Sequence, residues 1–371
     1  MPIDQNKLSG LSKALAEGDW HGVKAAGLPF SPPDGDASVA TPTTTTPVPA
    51  HMRRIQTGNF IAYTKTVIAD IIDRIAFIRL VEDAKKKGSV SFEMKSAREL
   101  KTTASRQGWI PIWWLPWDSR GALVELSIPS VKTMPMISSP GIDPVFNPPV
   151  FFTAALSGCS IFVKGANEAP IVAHAGRDGG IKDEVGQAQF DQLGGTSEAF
   201  WRNIFNGVTY DTGDLSKKTG VGVPIAPMTP TPTAPGNFKE VNLTNYVTGV
   251  ISNRDGDTVT QKRLPAGDTF QGRHFEQFLK NKYGKMITGI WVSPYGAVFG
   301  MRAPGGTWAF HLQRNTTVMY KRLRKTSMFK KDSLAPVEPT LTESFCFGDQ
   351  QFFPGAGVYK QTSYDTFQLS S

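Results

Sequence analysis

Glycine or proline falls about once in every six residues of this chain, 36 of the one and 27 of the other among 371. Proline removes a backbone donor and fixes φ, while glycine weakens a helix interior. Punctuation this frequent favours short strands joined by turns over a helical bundle. Hydrophobic residues make up 40% of the chain and aromatic residues 11%, so a buried core is within reach. The length exceeds what a single compact core usually organises.

Several classes are set aside by what the chain lacks. Two cysteines cannot build a disulfide framework, and with five histidines a structural zinc site is not expected. After Met1 the chain reads PIDQNKLSGLSKALAEGDW, which has no apolar core, so no removable leader is expected. The longest apolar-rich stretch, 60–81, carries Lys65, Asp70, Asp73, Arg74 and Arg79, too many charges for a membrane span. A net charge of +8 biases the protein towards acidic partners without naming one.

Along the chain, residues 1–50 read as an N-terminal tail holding one short amphipathic helix (Leu8, Leu11, Leu15) and then a Pro/Thr-rich linker from Ser31 to Ala50. Residues 51–371 read as one catalytic domain, with a subdivision near 224–236, where PIAPMTPTPTAPG interrupts the pattern. Phe60, Val67, Ile68, Ile71, Ile72, Ile75 and Ile78 follow a 3.6-residue period and predict a long helix over 59–86, with a second over 93–105. WIPIWWLPW at 109–117 and ALVELSI at 122–128 predict a strand pair packed under the long helix. Further on, the pattern predicts strands at 244–251, 286–293, 297–302, 307–313 and 316–320, a helix over 268–283, and a tight hairpin at Gly305-Gly306.

The chemistry lies in VFFTAALSGCSIFVKGANEAPIVAHAG, 150–176. Ser160–Lys164 and Ile171–His174 are β-compatible, and Gly165-Ala166-Asn167-Glu168 reads as the turn between them. A hairpin centred between Ala166 and Asn167 sets Cys159 directly opposite His174, at a separation of about 5 Å between Cβ atoms. An imidazole in that place accepts the thiol proton, and the thiolate then attacks an amide or ester carbonyl. Ser157, Gly158 and Ser160 surround the cysteine with small residues and are candidates for an oxyanion and substrate pocket. Thr153, Ser157 or a backbone carbonyl would orient the imidazole.

These residues resemble the protein-glutamine deamidases, the superfamily of the cytotoxic necrotizing factor catalytic domain, Burkholderia lethal factor and the chemotaxis receptor deamidase. The resemblance rests on Thr153 six residues before Cys159, on the string Leu156-Ser157-Gly158-Cys159, and on His174 fifteen residues later, roughly 25 residues in all. It implies a central β-sandwich with flanking helices, so the expected fold is α+β, mainly an antiparallel β-sandwich with flanking helices, preceded by the flexible N-terminal segment read above. It also implies that Cys159 is the nucleophile, His174 the general base and acid, and Thr153 the group that orients His174. The expected activity is that of a secreted effector or toxin, exported without a leader, which converts a glutamine of a host or competitor protein to glutamate in the target-cell cytoplasm. Thiolate, imidazole and water suffice, so no metal and no organic cofactor is expected. A Cys-His protease or transglutaminase shares the acyl-thioester step and is the neighbouring alternative.

Other features read more plainly. Cys346 belongs to an aromatic strand as core filler, and His274 and His311 read as solvated or hydrogen-bonded side chains. Gly176-Arg177-Asp178-Gly179-Gly180 lacks the phosphate-loop pattern and reads as a turn at the rim of the site. The basic run 321–331 is a solvated face or a docking face for an acidic protein or anionic membrane, and no nucleic-acid module accompanies it. With the Trp109–Trp117 surface, that run would carry a non-enzymatic binding function.

Overall fold

The computed structural model describes residues 3–33, 52–55, 64–68, 70–117, 122–176, 191, 195–206, 238–242, 245–246, 264–265, 281, 287–325 and 334–355. Two β-sheets pack face to face, and helices cover their outer faces. One sheet has six strands in the order β1 (Met52–Ile55), β2 (Thr64–Ile68), β6 (Ala122–Ser127), β11 (Ala169–Ala175), β10 (Ser160–Ala166) and β12 (Phe238–Val241). The other runs β16 (Leu334–Phe353), β15 (Trp308–Lys325), β14 (Ile287–Arg302), β9 (Val150–Thr153), β5 (Ile110–Leu115), β3 (Ile75–Glu82) and β4 (Val90–Ser96), with β13 (Leu264–Pro265) beside β14. Each sheet has one parallel pair, β2 with β6 and β5 with β9. The remaining pairs are antiparallel, giving the expected mainly antiparallel β-sandwich with flanking helices. A small hairpin, β7 (Met136–Ser139) and β8 (Ile142–Phe146), stands apart.

The predicted long helix over 59–86 is not formed. Its apolar residues instead supply β2, a single 3-10 turn at Ile71–Arg74 and β3. The turn is capped by Asp70, whose carboxylate accepts from Ile72 N–H at 3.3 Å. Ile75, Ala76, Phe77 and Ile78 are all buried because β3 is covered on both faces. A strand covered on both faces reads as a continuous apolar run, and such a run satisfies a helical period by accident. The predicted helix over 93–105 is likewise replaced by β4, whose Val90, Phe92 and Met94 alternate with polar residues, and by a turn closed by Ser96 and Glu99. β5 and β6 are both strands as expected, but they lie in opposite sheets and do not pair.

Residues 3–33 are part of the domain rather than a tail. Helix α1 (Gln5–Glu17), capped by Asp4, buries Leu8, Leu11, Ala14 and Leu15 against Ile78, Leu80, Ile112 and Trp114 on the outer face of the larger sheet. Helix α2 (Trp20–Ala26) follows, and Phe30 then joins Val90 in one parallel bridge. Its main chain is held by Gln313 at 2.6 Å and Asn315 at 3.1 Å. These short helices take the place of the absent long one. The outer face of the smaller sheet is covered by α3 (Ser197–Phe205), whose Phe205 stacks on Phe162 at 4.0 Å.

The expected strands at 286–293 and 297–302 are one strand, β14, and those at 307–313 and 316–320 are one strand, β15. The tight turn between them is where Gly305-Gly306 placed it, with Ala303 N–H bonded to Thr307 O and Gly306 at φ 93°. The linker at 34–50, the rim turn at 177–180, His274, the subdivision near 224–236 and all of the helix over 268–283 except Asn281 lie outside the described residues. So does the basic run beyond 325. Of the expected strand at 244–251 only Asn245 and Tyr246 are described, and they are helical rather than extended.

Candidate active site

β9 is buried on both sides, and alternation decides what each residue meets. Val150 and Phe152 face α1 and α2, whereas Phe151 and Thr153 face the interior between the sheets. β5 runs parallel to β9 and sets Leu115 beside Thr153. Across the interior, β11 sends Val172 and His174 inwards opposite Val163 and Ile161 of β10. Thr153 and His174 therefore come from different sheets and meet between them, Oγ1 to Nδ1, at 2.7 Å.

The hydrogen bonds around this pair determine the tautomer of the ring. Thr153 Oγ1 lies 2.8 Å from the Leu115 carbonyl, an acceptor with no proton to give. The one hydroxyl proton must point there, so Oγ1 receives its second bond from His174 Nδ1–H. Nε2 then carries the lone pair, and this fully buried atom has no hydrogen-bond partner among the described residues. Burial lowers the His174 pKa to about 3, so the ring is neutral at physiological pH. The result is a neutral imidazole, fixed in orientation from behind, with a bare acceptor in front.

Cys159 is on the same side of the sheet but not directly opposite His174. The β10–β11 ladder continues through Gly165↔Pro170 and Ala166↔Ala169, so the turn is Asn167-Glu168, one residue later than expected. Trp308 N–H holds the tip of this turn by bonding the Asn167 carbonyl at 2.8 Å. The pairing shifts by two residues: His174 faces Ile161, and Cys159, two residues before it, is the diagonal neighbour of His174. A shift of two preserves the face, whereas a shift of one would have reversed it. The sulfur packs against Gly176, where a Cβ would approach Sγ to 2.7 Å and the Trp117 ring to 3.7 Å. Cys159 is 9% exposed, so the thiol is at the border between core and surface.

The remaining predicted site residues separate. Ser157 is exposed and Gly158 half-buried, and together they form the turn that leads into Cys159, with Gly158 at φ 151°. Ser160 is buried, and strand alternation places it on the opposite face from Cys159, away from the candidate site. Two groups were not foreseen from the sequence: the Leu115 carbonyl, and Tyr246, whose buried hydroxyl donates to the Cys159 carbonyl at 3.3 Å. Spacing could not reveal either, since both arrive from distant parts of the chain.

Elsewhere, His311 is not solvated. It is 3% exposed and stacks on Trp20 at 3.8 Å and on Phe299 at 5.4 Å. Cys346 is half-buried in β16. Trp113 and Trp114 are core residues, one on each face of β5. Among the described residues no three His, Cys, Asp or Glu side chains cluster as a metal site would need, and no helix is long and apolar enough to cross a membrane. No protein-family model matches the chain, and no curated protein matches it in sequence.

Proposed function

We propose that this protein is a thiol hydrolase that deamidates a glutamine side chain of a target protein. The observation that carries the reading is the relay from Leu115 carbonyl through Thr153 hydroxyl to His174, which leaves Nε2 as a bare acceptor on the face that holds Cys159. The thiol proton passes to Nε2 as Sγ attacks the carbonyl carbon of the glutamine amide. The imidazolium returns that proton to the amide nitrogen, the carbon–nitrogen bond breaks and ammonia leaves. Water then attacks the thioester with Nε2 taking its proton, and collapse yields glutamate and the original thiol. Because the resting ring is neutral, the thiolate forms as the substrate is attacked rather than standing ready beforehand.

The resemblance of Thr153, Leu156-Ser157-Gly158-Cys159 and His174 to the protein-glutamine deamidases supports this amide chemistry, and with it the reading of a secreted effector acting on a host or competitor protein. The test is mass analysis of target-cell lysate treated with wild type and with Cys159→Ser. Wild type adds about one dalton per modified glutamine, as replacement of an amide by an acid requires, and the variant adds none. A Cys159→Ser protein that still produces the gain refutes the reading. Cleaved backbones would assign the thiol to proteolysis, and incorporated amines to transglutamination.

A further inference from the structure

We propose that Tyr246 is a positioning residue for the nucleophile: by holding the main-chain carbonyl of Cys159, its hydroxyl fixes the direction in which the thiol leaves the strand. The inference rests on the reading of Cys159 as the reacting thiol and extends it to a group no spacing in the sequence suggests.

The argument begins where β10 runs out of partner. The β10–β12 ladder extends from Lys164↔Phe238 to Ile161↔Val241. Cys159, just before β10, lies two residues beyond its last pair. After Val241 the chain turns sharply: Asn242 N–H bonds the Asn245 side chain at 2.8 Å, and Asn245 N–H bonds the Asn242 side chain at 3.3 Å. This reciprocal turn brings Tyr246 back beneath the start of β10, where its hydroxyl donates to the Cys159 carbonyl. A side chain thus continues the ladder past the end of β12.

The far end of the segment that leads into Cys159 is held from the opposite sheet. Leu156 exchanges both main-chain hydrogen bonds with Gly296 of β14, at 2.8 and 3.0 Å. Gly296 also gives the Tyr246 ring its space, since a Cβ there would lie 3.0 Å from Tyr246 Cγ. Residues 156–159 are therefore pinned at one end by β14 and at the other by Tyr246, and Tyr246 itself is wedged against Gly296. Burial raises the Tyr246 pKa well above 10, so the hydroxyl remains a donor wherever the protein is folded. Its proton points towards the Cys159 carbonyl and so keeps the main chain at the thiol in one orientation.

The experiment compares wild type with Tyr246→Phe in the full chain, which keeps the ring and removes the hydroxyl. The first readout is the rate of iodoacetamide alkylation of Cys159 at neutral pH, with Cys346 as internal reference, and the second is kcat and KM on a modified glutamine. Loss of one buried hydrogen bond lowers the alkylation rate and kcat about three- to tenfold while KM stays within about twofold. Should the phenylalanine variant not fold, Gly296→Ala displaces the same ring from the other side and should slow alkylation in the same sense. Alkylation at the wild-type ratio to Cys346 in the folded variant overturns the proposal. Slowed alkylation in a protein whose wild type deamidates nothing leaves Tyr246 in place and removes the deamidase reading instead, so the two failures are distinguishable.

Discussion

Among the described residues two histidines are buried, one between the sheets and one outside the larger sheet, and burial lowers the pKa of both. His174, between the sheets, is brought to about 3, and His311, between the larger sheet and α2, to about 4, where Lys24 adds to the effect. The loss of water is therefore common to both sites and cannot be what makes one of them a candidate base. The difference lies in what touches the ring edges. Thr153 engages His174 Nδ1, and Nε2 has no hydrogen-bond partner among the described residues, so the two nitrogens are distinct. His311 lies flat against Trp20 and Phe299, and its Nδ1 has no hydrogen-bond partner among the described residues, so its ring acts as one more flat surface in an aromatic stack. A buried imidazole becomes a candidate base only when its neighbours fix which nitrogen is empty and where it points.

The sharpest way to break this comparison is to remove each ring in turn. His174→Ala should lower deamidation about a hundred- to ten-thousandfold, the range of a general base, whereas His311→Phe should leave kcat within about twofold of wild type. Equal losses in the two variants would erase the distinction. Next in size is Thr153→Val, which keeps the shape and deletes the hydroxyl. An unpaired buried Nδ1–H costs about 1–3 kcal/mol, so the ring turns or changes tautomer and kcat falls about 5- to 150-fold. Thr153→Ser restores the hydroxyl and should return most of the rate. If valine is as active as threonine, the Leu115–Thr153–His174 relay has no part in the reaction.

What the sequence disclosed follows the range of the interactions involved. The thiol–imidazole face was readable because β10 and β11 are joined by a short turn, and a two-residue error in register leaves every side chain on its own face. The Gly305-Gly306 hairpin was readable for the same local reason. The region 59–86 was not, because β3 is buried on both sides and carries no alternation to separate strand from helix. Nor was the role of residues 3–33 visible: the period of Leu8, Leu11 and Leu15 gives α1, but nothing local says that Ile112 and Trp114 wait beneath it. Leu115 and Tyr246 reach the site through contacts 38 and 87 residues long, beyond any motif.

Smaller in effect, and independent of any substrate, is the dependence of stability on acid. A histidine whose folded pKa lies below its unfolded value of about 6.5 binds its proton more readily in the unfolded chain. Its stabilising share is complete above that pH and is lost as pH falls towards the folded value, at about 1.4 kcal/mol per unit. Between pH 6.5 and about 4 both rings contribute, and below that His174 alone continues to about 3. Urea midpoints taken from about pH 7 down to about pH 5 should therefore fall less steeply in His311→Phe than in wild type, by close to one proton's slope. The same variant tests whether His311 is merely a flat ring, because phenylalanine can stack on Trp20 and Phe299 in its place. Unfolding that keeps the wild-type slope would mean that His311 is protonated in the folded chain as easily as in water, and its likeness to His174 would end there.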